Sequence, residues 1–124
     1  MEISLFASKT LAFRDQLHMM HLSTKSYSEH IAIEELYKFI LKWFDGFVEA
    51  WQGFDELIKF ESVTIQSSAV TTPLFIVEDY VGEVLMEAKK DMSEDMETYG
   101  WAVNLLEEAM TECFRTMYKL KNLK

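Results

Sequence analysis

Apolar residues recur at the spacing of an α-helix along four stretches of the chain, and turn-forming residues separate these stretches. The small hydroxyl residues in STKS at 23–26 break the pattern after the first stretch, because such side chains favour turns and helix N-caps. Gly53 is the expected end of the second stretch, and Pro73 stands at the first position of the third, where its missing N–H costs nothing. The predicted helices span residues 3–21, 27–52, 73–91 and 99–120.

The segment between the second and third predicted helices is long, and its pattern is weak. FDELIKF at 54–60 is compatible with a short helix, whereas ESVTIQSSAVTT at 61–72 has the composition of a connection. Helices 1 and 2 are separated by a short turn, so we expect them to pack antiparallel. The sequence therefore predicts an all-α fold, a four-helix bundle with one longer crossover connection between helices 2 and 3, in a single domain over residues 1–124.

Composition supports this prediction, because the chain is 49% hydrophobic and contains only one proline and four glycines. Scarce breakers favour long helices over a strand-rich fold. The single cysteine, Cys113, excludes an internal disulfide and suits a reducing cytoplasm. We expect no signal peptide and no membrane span, since no apolar stretch approaches the length of one.

The formal net charge of −9 disfavours binding to nucleic acid. Lysines cluster only at the C-terminus, where Lys119, Lys121 and Lys124 complement the dipole of the last helix. DNA binding is therefore not expected.

The second predicted helix carries apolar residues on more than one side. Its core face, at about 100° per residue, holds Ile33, Leu36, Tyr37, Ile40, Phe44, Phe47 and Trp51. Phe39 and Trp43 point in other directions. A helix with such a wide apolar surface buries a second face, which in a small bundle predicts a subunit interface.

His30, Glu34, Asp45 and Glu49 share an adjacent face of the same helix. Each pair, four residues apart, has the spacing to bind one ion jointly. His30 and Asp45 are about 22 Å apart along the helix axis, so the two pairs cannot share a metal within one chain. They would meet if a second copy of the helix ran antiparallel across a two-fold axis near Phe39, which gives two identical sites per dimer.

His18 precedes His30 by twelve residues and would lie at the same end of an antiparallel helix pair. Two imidazoles with two or three carboxylates suit iron, manganese or zinc. The alternative is that these carboxylates form ordinary solvated charge pairs, namely Glu34–Lys38, Lys38–Glu35 or Lys42–Asp45. We expect His21 to be a surface or turn histidine rather than a ligand.

The order His18, His30, Glu34, Asp45 and Glu49 resembles the ligand pattern of the Dps family of miniferritins. QLH at 16–18, EELY at 34–37, DGFVEAWQG at 45–53 and NLLEEAMTECFRTMYKL at 104–120 are also similar to segments of that family. The resemblance covers most of the chain and is weak between Gly53 and Pro73.

The resemblance implies a ferritin-like bundle that pairs into two-fold dimers and assembles as a hollow dodecamer. Its activity would be oxidation of ferrous iron by dioxygen or hydrogen peroxide at a site between subunits, followed by storage of ferric iron. His18 and His30 would come from one subunit and Asp45 and Glu49 from its partner, with Glu34 helping to bind iron. These residues are the candidate metal ligands, and all except Glu34 are the candidate catalytic residues.

Two other classes of function remain open. A catalytically silent ferritin-like structural or interaction module, cellular or viral, would keep the bundle and the dimer face but would not oxidise ferrous iron. A monomeric helical adaptor would leave the apolar surface of the second helix exposed, which is unfavourable in water.

Overall fold

The computed structural model of the protein describes residues 2–65 and 71–124, and all regular structure in these ranges is helical. The helices are α1 (Ile3–Ser23), α2 (Tyr27–Phe54), α3 (Pro73–Tyr80), α4 (Met86–Met92) and α5 (Met96–Asn122). A π-helical turn, Val81–Leu85, joins α3 to α4, and a 3₁₀ turn, Ser93–Asp95, joins α4 to α5. The predicted all-α class is confirmed. Residues 66–70 of the predicted connection lie outside the described residues.

Side-chain oxygens cap the N-termini of α2, α3 and α5. The capping residues are Ser26, Thr72 and Asp95, and each accepts a backbone N–H from three residues later at 3.2 Å. Pro73 occupies the first turn of α3 as predicted. The last helix begins at Met96 rather than at Tyr99, because Asp95 provides a cap earlier in the chain than the apolar pattern indicates.

The predicted stop of the second helix at Gly53 is wrong, because α2 continues to Phe54. The ring centroid of Phe54 lies 5.7 Å from those of Trp51 and Tyr99 and 5.4 Å from that of Trp101. These aromatic contacts favour the additional helical residue. Gly53 itself has no positive φ, so it does not form a left-handed C-cap.

Four helical rods form the core when α3, the π-helical turn and α4 are taken together as the α3–α4 rod (Pro73–Met92). α1 packs against α2 and this rod, and α5 packs against the same two elements. Pairs of neighbouring residues show the relative directions of the rods. For α1 and α2 they are Phe6–Phe47 and His21–His30, and for α2 and α5 they are Trp51–Tyr99 and Glu35–Lys119. For α1 and the α3–α4 rod, Phe13 stacks on Tyr80, and Met20 and Pro73 line the same pocket. Each contacting pair of rods is antiparallel, so α2 and α3 run in the same direction. The connection after Phe54 must therefore return along the length of the helices.

The connection has no regular secondary structure at 56–60, where the sequence allowed a short helix over 54–60. The Ile58 N–H donates to Gln52 Oε1 at 3.0 Å, and the Ile58 side chain is buried. Further along, the Glu61 N–H donates to Ser8 Oγ of α1 at 2.7 Å. These contacts satisfy backbone groups that a helix would have paired internally, which explains why this segment is not helical.

The wide apolar surface of α2 is explained mostly within one chain. Trp43 is buried, and its Nε1–H donates to the carbonyl oxygen of Leu105 in α5 at 2.8 Å. Phe39 is half-buried and packs against the core. α2 has α1 on one side and α5 on the other, so it needs apolar residues over a wider arc than a helix with one neighbour. Trp43 is therefore buried by α5 of the same chain, and the inference of a subunit interface from this residue is wrong.

Candidate metal-binding site

The three histidines of the chain meet at the end of the molecule where α1 passes into α2. A two-part cap holds this turn, since Ser26 Oγ accepts the Glu29 N–H and the Thr24 hydroxyl donates to Glu29 Oε1 at 2.8 Å. Because the helices are antiparallel, residues near the end of α1 face residues near the start of α2. His18 and His30 consequently lie at the same end of the helix pair.

His21 and His30 bond to each other's backbone across this helix pair. Nδ1 of His21 lies 2.9 Å from the carbonyl oxygen of His30, and Nδ1 of His30 lies 2.8 Å from the carbonyl oxygen of His21. The two rings stack, with centroids 3.7 Å apart. This reciprocal arrangement fixes both rings against the backbone.

The acceptors in this pair determine the tautomer of both rings. A carbonyl oxygen only accepts, so Nδ1 of His21 and of His30 must each carry the donated hydrogen. When such a ring is neutral, its Nε2 holds an unprotonated lone pair. A Nδ1–H donated to a backbone carbonyl, with Nε2 left as an acceptor, is the state in which histidine binds a metal ion through Nε2.

His18 lies beside this pair and is held by aromatic contacts. Its ring stacks on Tyr37 at 4.6 Å between centroids, and its centroid is 6.1 Å from that of His21. The guanidinium carbon of Arg14 lies 5.6 Å from the centroid of the Tyr37 ring, within cation–π distance. His18 is half-buried. Tyr37, which α2 directs towards the core, is therefore also the platform for one candidate ligand.

Glu34 supplies the carboxylate nearest to the histidines. Its Oε1 lies 3.9 Å from Nε2 of His21, which is too long for a hydrogen bond, and 3.5 Å from Nζ of Lys38. The Glu34–Lys38 charge pair expected as the alternative to metal binding is thus present. For Glu34 to bind a cation, its charge pair with Lys38 must loosen.

Asp45 and Glu49 are exposed on the outward face of α2. They are about 22 Å and more along the helix from His30, so one chain does not bring the two pairs of candidate ligands together. Within residues 2–65 and 71–124, no three histidine, cysteine, aspartate or glutamate side chains are grouped so as to hold a metal ion. A complete donor set of the predicted kind requires a second chain.

His21 lies close to the turn after α1, which is one of the two positions expected for it, but the expectation that it lies at the surface is wrong. Its side chain is 8% exposed, and it lies at the centre of the cluster, in contact with His18, His30 and Tyr37. Two signals point to it in the sequence. It follows His18 by three residues, which places both on one face of α1, and it is close to the turn that brings α2 back.

Comparison with known families gives one match. The model of a family of unknown function, DUF5856, matches residues 21–120 of this chain. The chain belongs to the DUF5856 family. The match includes His21, His30 and the three candidate carboxylates of α2, whereas His18 precedes it. Neither the curated proteins nor the solved structures include one that matches this DUF5856 protein.

In the part of the DUF5856 chain that the structure describes, none of the helices is both long and apolar enough to span a bilayer.

Proposed function

We propose that this DUF5856 protein is a ferritin-like, Dps-like iron protein that binds ferrous iron between two subunits, oxidises it and stores the ferric product. The observation that supports the proposal most is that the candidate ligands form two groups, which lie at different positions along α2. His18, His30 and Glu34 lie around His21 at one end, and Asp45 and Glu49 lie exposed on α2, about 22 Å and more from His30 along the helix. An antiparallel second copy of α2 would bring the separated sets together at two equivalent places.

The path of the chain supports a ferritin-like bundle. α1 and α2 are antiparallel, α2 and α3 run in the same direction, and α5 returns antiparallel to both. A four-helix bundle with one long crossover between its second and third rods is the ferritin-like arrangement. The connection that contacts Ser8 through Glu61 would be the corresponding crossover.

The chemistry of the donors fits ferrous iron as substrate. The imidazoles of His18 and His30 and the carboxylates of Asp45 and Glu49 form a mixed nitrogen and oxygen set, which suits iron and also manganese or zinc. Few protein ligands would leave positions open for the oxidant. The hydrogen bond from His30 Nδ1 to the backbone fixes the orientation of one ligand before metal binds.

The approach of His21 to Glu34 also favours a cation at this end of the helices. With its hydrogen on Nδ1, neutral His21 presents a lone pair at Nε2, and this faces Glu34 Oε1 at 3.9 Å. The Lys38 ammonium already lies 3.5 Å from this oxygen, and a cation bound between the imidazole and the carboxylate would take its place. The formal charge of −9 would further raise the local concentration of cations.

Ferrous iron titration tests the proposal. The protein is mixed anaerobically with ferrous iron and then exposed to dioxygen or to hydrogen peroxide, and ferric absorbance is followed. We expect oxidation faster than in buffer and a soluble ferric product, both lost in His30→Ala and in Asp45→Ala. Glu87→Ala, an exposed carboxylate of α4, is the matched control and should retain the wild-type rate.

Mixing the two inactive variants tests the location of the site between subunits. A dimer of one His30→Ala chain and one Asp45→Ala chain contains one intact site, because its wild-type histidine faces the wild-type aspartate. Random pairing makes half of the dimers mixed, so roughly a quarter of the wild-type rate should return. No recovery in a mixture shown to exchange subunits would exclude a shared site.

The second candidate is a ferritin-like scaffold without turnover. The ion pair between Glu34 and Lys38 favours it, because this pair already neutralises the carboxylate closest to the histidines. It predicts an oligomer that leaves the rate of ferrous oxidation at the level of the buffer control.

A further inference from the structure

A cleft of about 410 Å³ opens between α1, the α3–α4 rod and residues 63–65 of the connection. This volume is within the range of small-molecule sites. Most of its wall is apolar and includes Phe13, Val63, Ile65, Phe75, Ile76 and Tyr80. Phe13 and Tyr80 stack with ring centroids 3.9 Å apart, which gives one part of the wall a fixed aromatic surface.

One side chain in the wall, that of Gln16, is polar and buried. Gln16 is only 4% exposed, and its Nε2 makes no hydrogen bond with any described residue. A buried amide without a partner destabilises the fold, typically by about 1–3 kcal/mol. Leucine would fill the position without this cost, so the amide points to an acceptor on a bound molecule.

Charged residues stand at the edge of the same cleft. Lys9, Asp79 and Glu83 are all exposed, and they give the edge two carboxylates and one ammonium group. The excess of carboxylates favours a cationic ligand over an anionic one. The difference in affinity is modest, because exposed charges are screened by water and salt. Anionic amphiphiles such as fatty acids would meet two like charges.

We propose that this cleft is a binding site for a small aromatic amine. The ring of the ligand lies against the apolar wall, a ring nitrogen or hydroxyl oxygen accepts a hydrogen bond from Gln16 Nε2, and the ammonium group faces Asp79 and Glu83. The proposal is independent of iron binding, because none of the candidate iron ligands lines the cleft.

Nuclear magnetic resonance of the whole chain tests the site directly. The probe is 6-(aminomethyl)quinoline, which combines a flat ring, a ring-nitrogen acceptor and a cation. Titration into ¹⁵N-labelled protein should shift the side-chain amide signal of Gln16 and broaden or shift the backbone signals of Phe13 and Ile76. Absence of a Gln16 shift up to millimolar probe would overturn the proposal.

Two matched compounds test the chemistry of recognition. Naphthalen-2-ylmethanamine keeps the ring size and the cation but lacks the acceptor, and quinoline-6-carboxylic acid keeps the acceptor but reverses the charge. We expect the first to bind about fivefold more weakly, as loss of one hydrogen bond predicts, and the second about threefold more weakly. Equal or tighter binding of either compound would contradict the proposed class of ligand.

Two variants complete the test. Ala12→Phe places a ring in the cleft and should abolish binding, whereas Ala50→Phe, on the exposed face of α2, should not change the affinity. Gln16→Leu should keep the helical circular dichroism spectrum and should remove the preference for quinoline over naphthalene. A preference that persists in Gln16→Leu would show that Gln16 does not recognise the ligand.

Discussion

His21 and His30 donate from Nδ1 to each other's carbonyl oxygen, at 2.9 and 2.8 Å, while their rings stack at 3.7 Å. The His21 carbonyl is among the last four of α1, which have no intrahelical partner, so the His30 ring satisfies it. The His30 carbonyl lies in the first turn of α2, where carbonyls accept intrahelical bonds, and the His21 ring adds a further donor to it. One pair of side chains thus closes the turn between α1 and α2 and also sets the tautomer of a candidate ligand.

Removing the His21 ring should weaken the fold more than removing His18. His21→Ala leaves the His30 carbonyl without its side-chain donor and opens a space beside a stacked ring, so we expect the free energy of unfolding to fall by about 1–3 kcal/mol. Urea denaturation followed by far-ultraviolet circular dichroism measures this. His18→Ala, which loses aromatic contacts only, is the matched control. Equal losses in the two variants would contradict the structural role assigned to the reciprocal bonds.

Because of the contact between Thr10 and Tyr80, we expect Tyr80→Phe and Thr10→Val to lower the free energy of unfolding by different amounts. Thr10 Oγ1 donates its hydrogen to the Phe6 carbonyl at 2.9 Å, so Tyr80 must donate to Thr10 Oγ1 across the 2.8 Å contact. Tyr80→Phe removes a donor and leaves the Thr10 donor satisfied, which should cost about 1 kcal/mol. Thr10→Val leaves a buried Tyr80 hydroxyl without an acceptor, which should cost about 1–3 kcal/mol.

Denaturation of both variants and of the double variant checks this asymmetry. The double variant should be close to Thr10→Val or more stable than it, because it removes the hydroxyl that Thr10→Val leaves unpaired. A larger loss in Tyr80→Phe than in Thr10→Val would mean that the hydroxyl of Thr10 donates across the contact instead.

Local patterns in the sequence were sufficient to predict the helices and much of the core. Ser26 and Pro73 mark helix starts because capping and proline geometry act within one turn. Leu106, Met110 and Cys113 are buried as the spacing along α5 predicts. The placement of His18 and His30 at one end follows from a short turn between antiparallel helices.

Other features depend on partners distant in the sequence. The burial of His21 requires a carbonyl nine residues later, and the burial of Trp43 requires the Leu105 carbonyl of α5. Neither partner is visible in a local pattern of apolar and polar residues. The π-helical turn, Val81–Leu85, likewise had no signal in the sequence, since its residues continue an ordinary helical pattern.

Gly46 is a position where the helix can be strengthened. It lies on the exposed face of α2, and a Cβ built there would meet nothing within 4 Å. Alanine has the higher helix propensity, so Gly46→Ala should raise the free energy of unfolding by about 0.5–1 kcal/mol. Ala50→Gly, one turn later on the same helix, is the reverse control and should lower it by a similar amount. A loss of stability in Gly46→Ala would indicate that this face is covered in the assembled protein.

Cys113 makes the stability of the fold sensitive to alkaline pH. Burial, with a smaller contribution from the charge of Glu112, raises the pKa of its thiol from 9.0 to about 12. Burial also raises the pKa of the Tyr80 hydroxyl, against the opposing effect of its hydrogen bond with Thr10. The folded state therefore retains protons that the unfolded chain releases, and stability is lost as the pH rises.

The thiol contribution is fully present below pH 9, the ordinary value for this group, and declines as the pH rises from there towards 12. Urea denaturation between pH 7 and 10.5 should show a steeper decline for the wild type than for Cys113→Ala. The variant is also less stable at pH 7, because it leaves a small cavity, so the comparison is between slopes rather than absolute values. In the folded wild type, iodoacetamide should react with Cys113 far more slowly than in urea, since the thiolate is the nucleophile. Parallel slopes together with rapid labelling of the folded protein would show that the thiol is accessible to water.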